Sequence, residues 1–486
     1  MNIPQIILKP TFEFIDNLKQ LANCTCQELS CIPNENHLLI HDNELSLMFQ
    51  SIYTDELNRC FSLELPEFHL VSKGQEYIVP NGASFIDGTL VCGSPEKMDF
   101  KIDMNTIVQS SLIDGKEHYW RYVYPVDTSE WFLKVSASPY KDDFGYINNQ
   151  ALLRPQLDNH QMQMFTKNYN GRYYMVIESN EAIPQEDMER RSMLLIVAIG
   201  IVLGKRYGDH RFIVASDTPD FCAVSGVGVM KLQKTKYCPY HIFDTNKVNI
   251  VTMLKRYDYQ KYAKDEIEGP DTSSTWYYDD NTIMEDAFCK LADLCYTNND
   301  MLVAASMMLE GSLLGIEYQK PFYHVALETI TTALMKDEKM QQSPVVDKNI
   351  FKSKVRPALQ TALDEVTELS EDARRILGLR IQNNLNAPAN QDKLSYLFQK
   401  FGYNLTKEDE DAIKKRNTSF HGHLTNMDTS LRQQEDELFS VSLRLHKLCC
   451  ILLLKAAGYQ GKILNNEVLF GIKEACERKE HAYIEI

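Results

Sequence analysis

One change of pattern, about halfway along the chain, limits the folds available to it. Up to about residue 265, short stretches rich in aromatic and β-branched residues alternate with turn chemistry such as Asp114-Gly115 and Asn170-Gly171, as strands joined by tight turns do. Beyond about residue 283, apolar residues recur at helical spacing instead. Between the two lie Glu268-Gly269-Pro270-Asp271 and Asp279-Asp280-Asn281, where turn residues and like charges meet. The pattern predicts an α+β multidomain protein: a β-rich domain over 1–180, a helix-plus-strand continuation over 181–264, a linker over 265–282 and an all-α bundle over 283–486.

In the first half the candidate strands include Cys60–Leu65, Tyr119–Tyr124, Trp131–Val135, Tyr173–Glu178 and Arg211–Ala215. They suggest an antiparallel sheet or sandwich, interrupted by a helix over about 185–203. Tyr119, Trp120, Tyr122 and Tyr124 carry rings able to stack on bases, but packing inside a sheet accounts for them better. The apolar run Met193–Gly204 is far shorter than the roughly 20 residues that cross a bilayer, and Glu189, Arg190, Arg191 and Lys205 bracket it. It reads as a buried helix. In the second half, helices are expected over about 283–297, 299–336, 350–380, 390–402, 407–424, 430–457 and 464–478. No internal repeat or heptad array accompanies them.

Composition narrows the function. With 44% hydrophobic and 24% charged residues, the chain of 486 residues matches folded proteins, with material for two or three domains. A net charge of −16 argues against coating nucleic acid non-specifically but leaves room for a small basic cleft. Twelve cysteines without framework spacing, and no secretory leader, point to thiols in a reducing cytoplasm. Cys24, Cys26 and Cys31 lack the paired spacing of a zinc site. Ser225-Gly226-Val227-Gly228 is too short for a dinucleotide loop, and phosphate-loop, H-E-x-x-H and G-x-S-x-G motifs are missing. No cofactor, metal or membrane partner is expected.

The informative stretch is KFGYNLTKEDEDAIKKRNTSFHGHL, Lys400 to Leu424. Thr406 suits a helix N-cap, with Asp409 three positions on, and Glu408 to Asp411 suit the positive end of the helix dipole. At about 100° per residue, Ile413, Asn417, Phe420 and Leu424 form a stripe that faces a core, with Arg416 and His421 on either side of it, about 140° apart. Two such helices related by a twofold axis could aim both groups at one phosphate. Arginine offers a permanent planar cation and histidine a proton carrier near neutral pH. That pair is sufficient to cleave RNA, whose 2′-hydroxyl is an internal nucleophile.

The segment RNTSFHG, Arg416 to Gly422, resembles the R-N-x-x-x-H-G form of the R-x₄₋₆-H motif of the HEPN superfamily, in its Apea-like branch. Arg380–Asn386, Lys393–Phe398 and Phe322–Thr329 are similar to upstream segments of that branch, so the resemblance covers roughly residues 283–475. It implies a metal-independent endoribonuclease with Arg416 and His421 as the catalytic pair, leaving a 2′,3′-cyclic phosphate. Asn417 and Glu328 would support them, Asn417 alternatively by bonding across the helix packing and Glu328 alternatively as a surface carboxylate. Lys414 and Lys415 add positive charge where RNA approaches, or simply solubilise the surface. His423 also satisfies the spacing and lies within about 20° of Arg416 on the wheel; His421 is preferred because it directly precedes the glycine. A His421–His423 pair lacks a further metal ligand at a recognised spacing. The resemblance further implies a homodimer with a composite cleft, and a role in prokaryotic antiviral defence by abortive infection, with the first half sensing a trigger. The alternatives are a non-catalytic helical scaffold and a target of a companion nucleotidyltransferase.

Overall fold

The computed structural model describes residues 3–486 apart from 27, 30, 42–43, 53–63, 91–96, 114, 128–134, 239, 241, 244–282, 384, 388–389, 416–430, 473–474, 476–477, 479 and 481–482. The chain has a β-rich first half and a helical region after it. It divides into two compact units, Met1–Leu313 with Ala457–Glu485, and Leu314–Ala456 with Ile486. The helices Glu285–Thr297 and Asn299–Gly311 therefore sit with the β-rich half rather than with the later helices. The expected linker over 265–282 lies outside the described residues.

The first unit is organised around strand Tyr119–Val126, which pairs antiparallel with Arg172–Ser179 on one side and His210–Ser216 on the other. Among the described residues the main sheet has 13 strands. It is mostly antiparallel, but Gln5–Ile6 joins Ser138–Asp142 in parallel, which makes it mixed. A second, antiparallel sheet of Asn36–His41, Glu44–Ile52, Lys97–Asp103 and Ser84–Leu90 shares a core with it. Strand alternation divides the central strand's side chains between its faces. Arg121 and Val123 point toward helix Lys9–Lys19, where Arg121 donates to Thr11 Oγ1 at 2.6 Å. Trp120, Tyr122 and Tyr124 are all buried, and Trp120 Nε1 donates to the Ile183 carbonyl at 2.7 Å. These rings are interior packing and offer no face to a base.

Helix Gln185–Leu203 follows Pro184 and opens on Glu186 and Asp187, which favour the positive dipole end; it stops at Gly204, whose φ of 65° ends it in the left-handed conformation. Its apolar run packs against the two helices that follow residue 283, with Met193 left exposed. Gly226 and Gly228 lie within strand Val224–Lys231, where an added Cβ would come within 2.7 Å of Leu112 Cδ2 and 2.6 Å of Val108 Cγ1 respectively. Close packing, not phosphate binding, accounts for both. Among the described residues no helix is long and apolar enough to cross a membrane.

The helical expectations are corrected in four places, one of them 407–424, whose described helix ends at Lys414 with Lys415 in a turn and the rest outside the described residues. The stretch 299–336 is two helices, Asn299–Gly311 and Ile316–Met335, because Ser312 to Gly315 turns the chain. The stretch 350–380 also breaks, at Val366–Ser370, where Ser370 Oγ accepts from Ala373 N at 3.2 Å and starts helix Glu371–Asn383. Of 464–478, helix Asn466–Leu469 ends in a turn at Phe470–Gly471 and Ala475 is helical again with its neighbours outside the described residues, next to a strand pair formed by Lys462–Leu464 and Tyr483–Glu485. Cys60–Leu65 and Trp131–Val135 fall largely outside the described residues.

Candidate active site

The motif follows helix Lys407–Lys414 directly. As the sequence suggests, Thr406 Oγ1 accepts from Asp409 N at 3.2 Å while Asp409 Oδ2 accepts from Thr406 N at 3.0 Å. This capping box fixes the start of the helix. Asp409 does more than cap. It is fully buried, and its Oδ1 meets Arg444 Nη1 at 3.1 Å and Lys447 Nζ at 3.0 Å, both on helix Leu431–Ala456. Burial alone would raise its pKa, but Lys447, Arg444 and the Thr406 backbone N–H together outweigh that and hold it below the ordinary aspartate value.

The far end of the same helix is tied differently. Lys415 pairs with Glu437, also on helix Leu431–Ala456. Lys414 reaches Glu410 at 3.3 Å and Asp411 at 3.6 Å. These pairs are solvent-exposed, so each stabilises by well under about 1 kcal/mol and an incoming phosphate can displace the carboxylate.

Beside them is a residue that sequence reasoning missed. Lys320, on helix Ile316–Met335, is buried; burial, and then the charge of Lys415, press its pKa down, against an opposing pull from Glu437. Lys320, Lys415 and Glu437 therefore form one electrostatic cluster at the end of helix Lys407–Lys414. Glu328 is half-buried on the helix that carries Lys320, two turns further along. On helix Leu431–Ala456, His446 packs edge-on against Tyr323 with centroids 5.3 Å apart. On a helical wheel Arg444 and Lys447 look like surface cations; the one available signal was their position inside the apolar run Leu443–Leu454.

Arg416, Asn417, His421 and His423 lie outside the described residues. The described residues on either side of them in sequence form a helix locked at its start by a buried carboxylate, with cations at its end, and helix Leu431–Ala456. Compared with protein-family models, curated proteins and solved structures, the chain matches none of them.

Proposed function

We propose that the chain is a metal-independent endoribonuclease of HEPN type, acting through Arg416 and His421. The observation that carries this reading is the sequence R-N-x₃-H-G placed directly after helix Lys407–Lys414 in a helical unit. Further support comes from the charge of that unit: among its described residues, the buried charged side chains are Lys320, Arg444 and Lys447 against Asp409. Of these, Lys320 lies with Lys415 at the end of helix Lys407–Lys414, which the motif follows in sequence, and cations there favour an approaching phosphate.

In the proposed reaction His421 takes the proton of the ribose 2′-hydroxyl, whose oxygen attacks the adjacent phosphorus. The bond to the 5′-oxygen breaks, that oxygen takes up a proton, and a 2′,3′-cyclic phosphate remains. Arg416 neutralises the charge that accumulates on the phosphoryl oxygens in the transition state. Asn417 and Glu328 orient the pair, and Lys414 and Lys415 draw in the RNA backbone. We infer a homodimer through the helical unit, as the resemblance carried by the motif implies. The cytoplasmic setting, the role in abortive infection and trigger sensing by the β-rich half belong to the same proposal.

The test is cleavage of total RNA by the full chain with a chelator present. Arg416→Ala and His421→Ala should each lower the rate by about 10²–10⁴-fold, while His423→Ala should leave it within a few-fold. Cleavage that persists undiminished in both of the first two variants would sink the assignment. An intact dimer that cleaves no RNA would favour the scaffold.

A further inference from the structure

A second cationic feature of the helical unit is built from residues 341–387, none of which belongs to the motif. A cavity of about 590 Å³ opens between the chain at 341–348, the helical stretch that starts at Lys348 and the end of helix Glu371–Asn383. Its size falls within the range of about 300–1,000 Å³ usual for small-ligand sites. Lys348, Lys352 and Arg356 all line it. They are spaced four apart, so they stack along one helix face.

The turn between them, Phe351–Val355, is π-helical. Such turns are rare and concentrate at functional sites. Here the wider turn reduces the angular drift that an α-helix imposes on residues four apart, keeping the three cations in line.

The walls are fixed by hydrogen bonds. Asn386 clamps the Val346 backbone twice, accepting from its N–H at 2.7 Å and donating to its carbonyl at 2.8 Å. Arg356 Nη2 donates to the Gln382 carbonyl at 2.6 Å, while its buried Nε has no hydrogen-bond partner. Phe351 is buried and closes the floor. Among the described residues no carboxylate lines the cavity and none of the three cations is in an ion pair, although the chain carries a net charge of −16. The remaining polar lining is chiefly side-chain amide, which both donates and accepts.

We propose that this cavity binds one phosphorylated nucleoside unit, with Lys348, Lys352 and Arg356 on the phosphate and the amides of Gln382 and Asn383 on the base or sugar edge. Cations suit the phosphate, and amides suit base edges and ribose hydroxyls. A free nucleotide and a residue of single-stranded RNA share this chemistry. Neither requires cleavage at Arg416 and His421, so the proposal stands apart from the nuclease reading.

The experiment uses the full chain carrying His421→Ala, which keeps RNA intact. Binding of fluorescein-labelled AMP and of a labelled ten-nucleotide single-stranded RNA is followed by anisotropy. At least one probe should bind, and K348E/K352E should weaken it by about 30-fold, the loss of two charge-assisted contacts. K348R/K352R should retain affinity within about threefold, and unchanged thermal melting of both pairs shows that the fold is intact. Binding of AMP assigns the site to free nucleotides; binding of the RNA without AMP assigns it to a chain. Unchanged affinity in K348E/K352E, failure of both probes to bind, or inorganic phosphate competing as well as AMP or unlabelled RNA each overturns the proposal. Cleavage is assayed separately with His421 in place, and its absence leaves the binding result standing.

Discussion

Two buried charge networks, one in each unit, meet the same physical problem in different ways. In the first unit Arg121 and Glu178 are register partners on adjacent strands, with Arg121 Nε and Nη2 at 2.8 and 2.6 Å from Glu178 Oε2. Arg121 Nη1 is taken up by the Ile7 carbonyl and Thr11 Oγ1, and its guanidinium lies 3.8 Å from the centroid of the Phe221 ring. One cation meets one anion, and the arrangement does nothing but pin helix Lys9–Lys19 to the sheet. In the helical unit Asp409 serves two cations at once. Its network joins the first turn of helix Lys407–Lys414 to helix Leu431–Ala456. The first ties a helix to a sheet through a one-to-one pair; the second ties two helices through a carboxylate shared by two cations.

Removing the anion should separate them most. Asp409→Ala removes the carboxylate that the buried Arg444 and Lys447 share and should destabilise the helical unit by about 3–5 kcal/mol, read as faster hydrogen exchange along Leu431–Ala456. Because the folded pKa of Asp409 is lowered, its stabilisation is fully present above the unfolded value near 3.9 and is lost as pH falls through the folded value. The variant should therefore lack that part of the acid transition; an unchanged acid limb would mean that Asp409 is not the titrating group. Arg121→Met should cost a little less, about 3 kcal/mol, and the double change Arg121→Met/Glu178→Leu should recover most of it, since a one-to-one pair can be replaced by apolar packing. A double variant as unstable as the single one would show that the guanidinium is needed for its bonds to Ile7 and Thr11. Lys447→Met should cost only about 1–2 kcal/mol, because Arg444 still compensates Asp409. A loss equal to that of Asp409→Ala would erase the distinction between the networks. Lys415→Ala should change stability by less than about 0.5 kcal/mol while weakening RNA association in proportion to one phosphate contact; a salt dependence identical to wild type would remove Lys415 from the RNA path.

Local signals made part of this legible in the sequence. The strand at Tyr119, the helix that stops at Gly204 and the cap at Thr406 each depend on residues within a few positions of one another. The break at Ser312–Gly315 was hidden because apolar spacing continues across it, and the turn at Val366–Ser370 because its N-cap serine sits among helix formers. Buried cations were illegible for a different reason. Arg444 and Lys447 meet Asp409, 35 and 38 positions away, in the interior, and no short window of sequence contains both sides of that contact. At the site, the motif residues could be named from spacing and resemblance, whereas Lys320 emerged only when three helices were brought together.

The division into units carries a consequence for synthesis. The chain leaves the first unit at Leu313 and rejoins it at Ala457, where Leu464 N bonds to the Ile242 carbonyl at 2.9 Å. A ribosome delivers the whole of Leu314–Ala456 before that returning segment, so the helical unit can fold while the first unit still lacks its last piece. The first unit, most of whose chain is made first, is thus the one that closes last, because it waits for Ala457–Glu485.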